Sequence, residues 1–174
     1  MRWGLVPSWA KDLSIGSRMI NARAETVAEK PAFRQAFRER RCLIMADGFY
    51  EWRTTGRSKQ PYHITHRDKA PFGFAGLWDR WQPPGGGQPI ESCTIITTAA
   101  NELVAEYHDR MPVILDLADY DLWLDPTVHE PQRLLPLLKP YPASKMVAYP
   151  VSSIVNSPTN ESPDCVKPLV GPES

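Results

Sequence analysis

The stretch Ala46-Asp47-Gly48-Phe49-Tyr50-Glu51-Trp52 follows a short apolar run, Cys42 to Met45, with the length and composition of a buried strand. Asp47-Gly48 then interrupts the chain, and the glycine permits a tight turn or a bulge. Residues 49–52 continue as a second strand. Side chains alternate between the faces of a strand, so Glu51 is expected to share a face with Phe49, opposite Tyr50 and Trp52.

The setting of Glu51 leaves two interpretations open. A carboxylate on the same face as Phe49 is either desolvated, with a raised pKa, or lies at a sheet rim with a charged partner. Structural ion pairs also perturb the pKa of a carboxyl, and this stretch taken alone favours a rim glutamate paired with an arginine.

The composition predicts one domain of short strands. The chain has 174 residues, enough for a single domain with a core. Its 18 prolines argue against a helical bundle and for strands, turns and long connections. Twenty basic and twenty acidic residues leave no net charge, so a nucleic-acid surface must be a local patch. The three cysteines lack metal-ligand spacing, which predicts free thiols in a reducing cytosol and no metal site.

Further elements follow from local patterns. The sequence predicts a helix over residues 31–40, short helices over 101–107, 117–124 and 130–138, and strands over 62–66, 72–78, 93–98 and 146–151. Gly73 and Gly76 within one strand indicate close backbone approach or strong curvature. The glycine run in residues 83–89 predicts a hairpin loop, since it lacks the Lys-Ser/Thr and the following helix of a phosphate loop.

Two polar stretches are candidates for function. Asn21 and Arg23 would share a face if extended, either as a loop amide and a solvated guanidinium or as groups directed into one cleft. His108 lies where a helix gives way to the apolar strand at 111–115. Histidine side chains exchange protons near neutral pH, and a local hydrogen bond to Asp109 or a carbonyl is the alternative role.

The two ends of the sequence carry separate expectations. Trp3 and Trp9, with a glycine and a proline between them, suggest a strand and turn already inside a fold, so material upstream is expected to be missing. We expect a domain over residues 1–156 and a loosely packed tail over 157–174, which is rich in proline. No signal peptide, membrane span or repeat is visible in the sequence.

The order of motifs along the chain resembles the SRAP family, the SOS-response-associated peptidase-like proteins. The motifs are Arg2-Trp-Gly-Leu-Val-Pro-x-Trp, Asn21-Ala-Arg-Ala-Glu-Thr, Lys30-Pro-x-Phe-Arg, Arg41-Cys-Leu, Gly48-Phe-Tyr-Glu-Trp, Pro61-Tyr, Phe74-Ala-Gly-Leu-Trp, Thr94-Ile-Ile-Thr-Thr and His108-Asp-Arg-Met-Pro-Val. Each motif is weak alone, but the ordered set covers essentially the whole chain. The resemblance implies an α+β fold with a curved, barrel-like mixed sheet and short flanking helices.

The resemblance also implies a function and a set of site residues. The family protects abasic sites in single-stranded DNA by condensing the amine and thiol of an N-terminal cysteine with the sugar aldehyde, which gives a thiazolidine crosslink. Motif matching places the catalytic asparagine, glutamate and histidine at Asn21, Glu51 and His108, which should converge on one pocket. It places the DNA-binding residues at Arg23, Arg110, Trp52 and Trp3. No cofactor or metal is implied, and we expect a cytoplasmic, nucleoid-associated monomer without a membrane partner.

One departure from the family leaves enzymatic activity open. Family members begin Met-Cys-Gly-Arg, whereas this sequence begins Met1-Arg2, and Cys42, Cys93 and Cys165 have no free α-amine. We therefore expect an abasic-site crosslinking protein whose N-terminal segment is missing here. The alternatives are a non-catalytic remnant that binds single-stranded DNA, or a peptidase, whose action in the family is mostly removal of its own leader.

Overall fold

The computed structural model describes residues 1–169, apart from the side chain of Thr55. Within these residues nine strands form: β1 (Arg2–Trp3), β2 (Asn21–Arg23), β3 (Arg41–Ala46), β4 (Phe49–Thr55), β5 (Ser58–His66), β6 (Phe72–Trp81), β7 (Ile90–Ala99), β8 (Arg110–Pro112) and β9 (Met146–Pro150). The α-helices are short: α1 (Arg34–Glu39), α2 (Tyr120–Leu124) and α3 (Pro131–Leu134). Short 3₁₀ helices lie at Leu13–Arg18, Val104–Glu106, Leu117–Asp119, Leu135–Leu137, Ala143–Lys145, Ser153–Asn156 and Pro163–Val166.

The chain divides into two compact units. The first comprises Met1–Met45, Phe72–Ala99 and Pro112–Tyr141, and the second comprises Ala46–Pro71, Ala100–Met111 and Pro142–Ser174. The predicted fold class, α+β with a mixed sheet and short helices, is confirmed. None of the helices in residues 1–169 is long and apolar enough to cross a membrane.

The first unit contains a mixed sheet in the order β1-β7-β6-β3, with β2 also paired to β7. β1 and β2 run parallel to β7, and β6 runs antiparallel to it. Its core has Trp123, Phe37, Leu5 and Ile96 at its centre, all with 0% exposure. The predicted close approach at Gly76 is confirmed, because a Cβ there would lie 2.9 Å from the thiol of Cys42.

Arg41 is a buried cation within the first unit, with 7% of its surface exposed. Its guanidinium donates to the carbonyl oxygens of Trp123 (2.6 Å) and Phe37 (2.9 Å), and also to those of Arg38 and Asp125. It lies 5.8 Å from the centre of the Trp123 ring. One side chain therefore joins the C-terminal part of α1 to the end of α2.

The second unit contains a three-stranded antiparallel sheet in the order β4-β5-β9. Thr55 pairs with Ser58, so Gly56 and Arg57 form a two-residue hairpin turn, with Gly56 at φ 62°. Gly48 lies just before β4, and a Cβ there would clash with the imidazole of His63 and approach the carbonyl oxygen of Ile64 to 2.8 Å. Close packing against β5 accounts for the glycine at this position.

The segment predicted as a loosely packed tail is hydrogen-bonded to this sheet where the structure describes it. The backbone N–H of Leu169 donates to Pro150 (2.8 Å), and Pro168 bridges to Val151. The hydroxyl groups of Tyr149 and Tyr50 donate to the carbonyl oxygens of Val166 (3.1 Å) and Cys165 (3.3 Å). The bond from Tyr50 to Cys165 joins residues 115 apart in sequence, and composition does not reveal pairings of this kind. Residues 170–174 lie outside the described residues, and the boundary at 156/157 stays a prediction.

Candidate functional site

Glu51 and His108 line one cavity in the second unit. The cavity has a volume of about 600 Å³ and is lined by Glu51, Trp52, Thr54, Lys59, Tyr107, His108 and Asn156. Most small-molecule sites have volumes of about 300–1,000 Å³, so this one has room for more than a single sugar. The glutamate and the histidine thus line one cavity, and the expected convergence of both with Asn21 stays a prediction.

The cavity lies around β4, which is an edge strand of its sheet. Strand alternation places Glu51 and Arg53 on one face of β4 and Trp52 and Thr54 on the other. Because β4 is an edge strand, no neighbouring strand of this sheet covers the side away from β5. A carboxylate and an indole can therefore reach the same space from opposite faces.

Glu51 is half-buried, and burial raises the pKa of its carboxyl. The charge of His108 acts against this rise in pKa, and that of Asp109 adds to it. Within the described residues, Glu51 forms no ion pair, and the arginine nearest in sequence, Arg53, is 3.9 Å from Glu106 instead. Of the two interpretations left open by the sequence, the structure favours the desolvated carboxyl over the ion-paired one.

His108 is held by its neighbours in the chain. Its backbone N–H donates to Val104 (2.9 Å), and its Nδ1 accepts from the backbone N–H of Arg110 (3.0 Å). The carboxylate of Asp109 lies 3.3 Å from the same nitrogen. Local bonds therefore fix the imidazole of His108, which was the alternative role considered from the sequence. The same side chain also lines the cavity.

Trp52 is fixed by Asn156, whose side-chain oxygen accepts from the indole N–H (2.8 Å). Tyr107 packs against Tyr62, on the other face of the hairpin, with ring centres 4.6 Å apart and ring planes inclined at 45°. Neither Asn156 nor Tyr107 was predicted as a site residue. Their positions depend on contacts across more than 40 residues of sequence, for which no local pattern exists.

Lys59 and Thr54 were also missed, although a signal for them was present. Thr54 pairs directly with Lys59. The Gly56-Arg57 turn sets this register, since a two-residue loop fixes which residues face each other. Recognising that turn in the sequence would have placed Lys59 on the same face of the hairpin as Trp52.

The first unit places Trp3, Asn21 and Arg23 on one sheet face. Their partners on β7 are Cys93, Ile95 and Thr97, which alternate with buried residues of that strand. Asn21 and Arg23 are exposed, and Ala22 between them is 1% exposed. The indole of Trp3 is 57% exposed and donates to the carbonyl oxygen of Ile20 (2.8 Å). The shared face of Asn21 and Arg23 is confirmed, and the roles of all three stay predictions.

Arg110 follows the cavity-lining His108 and is half-buried at the start of β8. Its predicted contact with a DNA phosphate stays a prediction. Within residues 1–169, no cluster of histidine, cysteine, aspartate and glutamate side chains has the arrangement of a metal site.

The three thiols are unsuited to nucleophilic chemistry. All are free. Burial raises the pKa of the Cys42 thiol to about 12, and it raises the pKa of Cys93 as well. Cys165 is 8% exposed. Since the thiolate is the reactive form, neither strand cysteine supplies one near neutral pH.

Comparison with known proteins identifies the family. The family described as SOS response associated peptidase (SRAP) matches residues 1–158. The chain belongs to this family. Abasic site processing protein YoqW of Bacillus subtilis is 51% identical over 168 residues, which cover 96% of this chain and 75% of that protein. Abasic site processing protein HMCES of Gallus gallus is 36% identical, covering 97% and 56%.

A solved structure shows the same fold. A crystal structure of a protein from Bacteroides thetaiotaomicron superposes with a TM-score of 0.88 at 35% identity, covering 97% of this chain and 75% of that one. A protein from Bordetella bronchiseptica gives a TM-score of 0.77 at 35% identity, covering 87% and 75%. The expected SRAP fold is therefore confirmed.

The raised pKa of Glu51 predicts a pH-dependent gain in stability for Glu51→Gln. A carboxyl whose pKa is higher folded than unfolded stabilises the fold only while protonated, and this contribution is lost as pH rises through the folded pKa. Replacing it with an amide should raise the free energy of unfolding at pH 7–8, and the gain should vanish towards pH 4. Urea denaturation across pH 4–8 measures the difference, with Glu106→Gln as control. A gain that is constant with pH would contradict the burial of a charged carboxylate.

Proposed function

We propose that this chain processes abasic sites in single-stranded DNA. The observation that carries the proposal is the cavity that Glu51 and His108 line together with Trp52. A half-buried carboxyl with a raised pKa suits proton transfer near neutral pH, and an indole offers a stacking surface for a base. The names of the relatives, abasic site processing proteins, agree with this chemistry.

The reaction we propose is the family's thiazolidine crosslink. The amine of an N-terminal cysteine adds to the C1′ aldehyde of the ring-opened sugar and gives a carbinolamine. The Glu51 carboxyl donates a proton to the departing hydroxyl, water leaves, and a protonated imine remains. The cysteine sulfur then adds to the imine carbon and closes the ring, with His108 taking the thiol proton. No redox step or cofactor enters this sequence.

The remaining predicted residues have binding roles in this proposal. Asn21 orients the nucleophile without adding a charge. Arg23 and Arg110 bind phosphates, which gives affinity independent of base sequence. Trp52 and Trp3 stack on bases. An abasic nucleotide is easily displaced from a strand because it has no base to unstack.

A second function is favoured by the state of the thiols. The 174-residue chain has three cysteines, and burial in strands raises the thiol pKa of Cys42 and Cys93. A polypeptide of these residues is therefore proposed to bind single-stranded DNA without crosslinking to it. Autoproteolytic release of a leader ahead of the family's cysteine, association with the nucleoid and a monomeric state stay predictions.

DNA binding should be weak and salt-dependent, and Arg23→Ala should reduce both the affinity and the salt dependence. Each neutralised phosphate contributes a slope of about −0.7 in log K against log salt for single strands, so a few arginines predict roughly −1 to −3. Removing Arg23 should flatten the slope by about 0.7 for every sequence alike. Fluorescence anisotropy with labelled oligonucleotides across a salt series measures this.

Arg133→Ala is the matched control, because Arg133 is equally exposed in the first unit but lies on α3. It should change neither quantity. If Arg23→Ala behaves like Arg133→Ala, the strand of DNA does not cross β2. Losses that depend on base sequence would also contradict a phosphate contact.

A further inference from the structure

We propose that Lys59 and Thr54 form a phosphate subsite for the nucleotide whose base stacks on Trp52. This inference rests on the proposed function, since it takes single-stranded DNA as the ligand. It adds two residues that the family's motifs do not assign, and it gives the direction in which the strand leaves the cavity, towards the turn of the β4–β5 hairpin.

The register of the hairpin brings the three side chains together. Trp52 pairs with Pro61 and Thr54 pairs with Lys59, so Trp52, Thr54 and Lys59 share one face. Directly opposed side chains on antiparallel strands have Cβ atoms about 4.5–5.5 Å apart. Trp52 and Thr54 are two residues apart on one strand, about 6.8 Å. A base on the indole thus has its own phosphate within reach of the lysine.

The indole is oriented before any ligand binds. Its N–H donates to Asn156, which ends the 3₁₀ turn Ser153–Asn156. The Ser152 side chain caps that turn, and the side-chain amide of Asn160 donates to the carbonyl oxygen of Ile154 (2.7 Å). A ring held in this way loses little conformational freedom when a base stacks on it.

The charge of Lys59 is available for a ligand. Lys59 forms no ion pair within residues 1–169, and it is the one lysine or arginine among the residues that line the cavity. Arg53 on the same hairpin lies on the opposite face and is paired with Glu106 at 3.9 Å. An ammonium group beside a threonine hydroxyl matches the donors that bind phosphate oxygens in DNA complexes.

The test compares Lys59→Gln with Arg53→Gln, which removes the same charge from the other face of the hairpin. The probe is a labelled 11-nucleotide single strand with a tetrahydrofuran abasic analogue at its centre, and anisotropy gives affinity over a salt series. Lys59→Gln should weaken binding about 3- to 10-fold and flatten the slope by about 0.7. Thr54→Val should weaken it less, Lys59→Arg should retain it, and Arg53→Gln should stay within twofold.

A neutral methylphosphonate scanned along the probe locates the contact. When the methylphosphonate occupies one position next to the abasic analogue, the unmodified chain and the Lys59→Gln variant should bind the probe with equal affinity. Two outcomes would contradict the subsite while leaving the proposed function intact, provided that the unmodified chain binds with the expected salt slope. In the first, Lys59→Gln and Arg53→Gln have the same affinity for the probe. In the second, no methylphosphonate position abolishes the difference in affinity between the unmodified chain and Lys59→Gln. If the unmodified chain does not bind the probe at all, both fail.

Discussion

Glu51→Gln is expected to slow abasic-site crosslinking by about 10²- to 10⁴-fold at neutral pH in a fusion protein that carries a family member's N-terminal Met-Cys-Gly-Arg segment ahead of Arg2. The amide keeps the shape of the side chain but cannot donate the proton that lets water leave the carbinolamine. The aldehyde is already electrophilic, and an N-terminal amine titrates near 8. The loss falls at the lower end of this range if the reaction between them depends less on general acid catalysis.

The pH profile separates a proton donor from a merely structural residue. Because burial raises the pKa of Glu51, the acid form persists to higher pH than in an ordinary glutamate, and the rate should fall as pH rises through that pKa. The Glu51→Gln variant should not show this fall. His108→Ala should impair ring formation or reversal while leaving affinity for single-stranded DNA largely unchanged.

Denaturing gels that resolve free and crosslinked oligonucleotide measure the rates. Glu106→Gln is the control, since Glu106 lies in the same unit but is paired with Arg53 and does not line the cavity. The 174-residue chain without the added segment should give no band that survives boiling in detergent. A folded fusion protein that binds single-stranded DNA yet never crosslinks would overturn the enzymatic proposal and leave the binding module.

Arg41→Met is expected to lower the free energy of unfolding by about 3–5 kcal/mol, since each buried acceptor left unsatisfied typically costs about 1–3 kcal/mol. Methionine fills much of the same volume but donates no hydrogen bond. The carbonyl oxygens of Phe37, Arg38, Trp123 and Asp125 all lose a donor, and desolvated acceptors without partners are costly.

Urea denaturation at pH 7 measures this loss, with Arg38→Met as the matched control. Arg38 lies three residues earlier and its side chain is exposed, so its replacement should change stability by less than about 0.5 kcal/mol. Arg41→Lys should fall between the two, because one ammonium group cannot reach four carbonyls in the planar arrangement of a guanidinium. A loss below about 1 kcal/mol for Arg41→Met would mean that water reaches those carbonyls.

Local patterns in the sequence predicted much of the fold. Alternation placed Glu51 opposite Trp52. Asn101, the first residue of the helix predicted over 101–107, accepts with its side-chain oxygen from the backbone N–H of Val104 (2.9 Å). The expected helix over 101–107 is only a single 3₁₀ turn, Val104–Glu106, because the segment ends against the strand that follows His108. Helices shorter than three turns gain little from propensity alone.

The parts that the sequence did not predict depend on contacts between distant segments. The sequence showed Arg41 only as a charged residue within a motif. Its burial depends on contact with α2, which follows some 80 residues later in the chain. Asn156 reaches Trp52 across 104 residues, so no spacing rule could connect them. The desolvation of Glu51 likewise depends on the residues that pack over its face of β4. The sequence of the strand itself does not specify those residues.

The pairing of β1 and β2 with β7 has a consequence for synthesis on the ribosome. Arg2 pairs with Ser92 and Asn21 with Ile95, so the first strands must wait for a partner made more than 70 residues later. At about 5–20 residues per second, this wait lasts roughly 4–18 seconds. The β4–β5 hairpin, joined by two residues, can form within microseconds of leaving the exit tunnel. The strand that carries Glu51 and Trp52 therefore has its neighbour long before the strand that carries Asn21 and Arg23 has one.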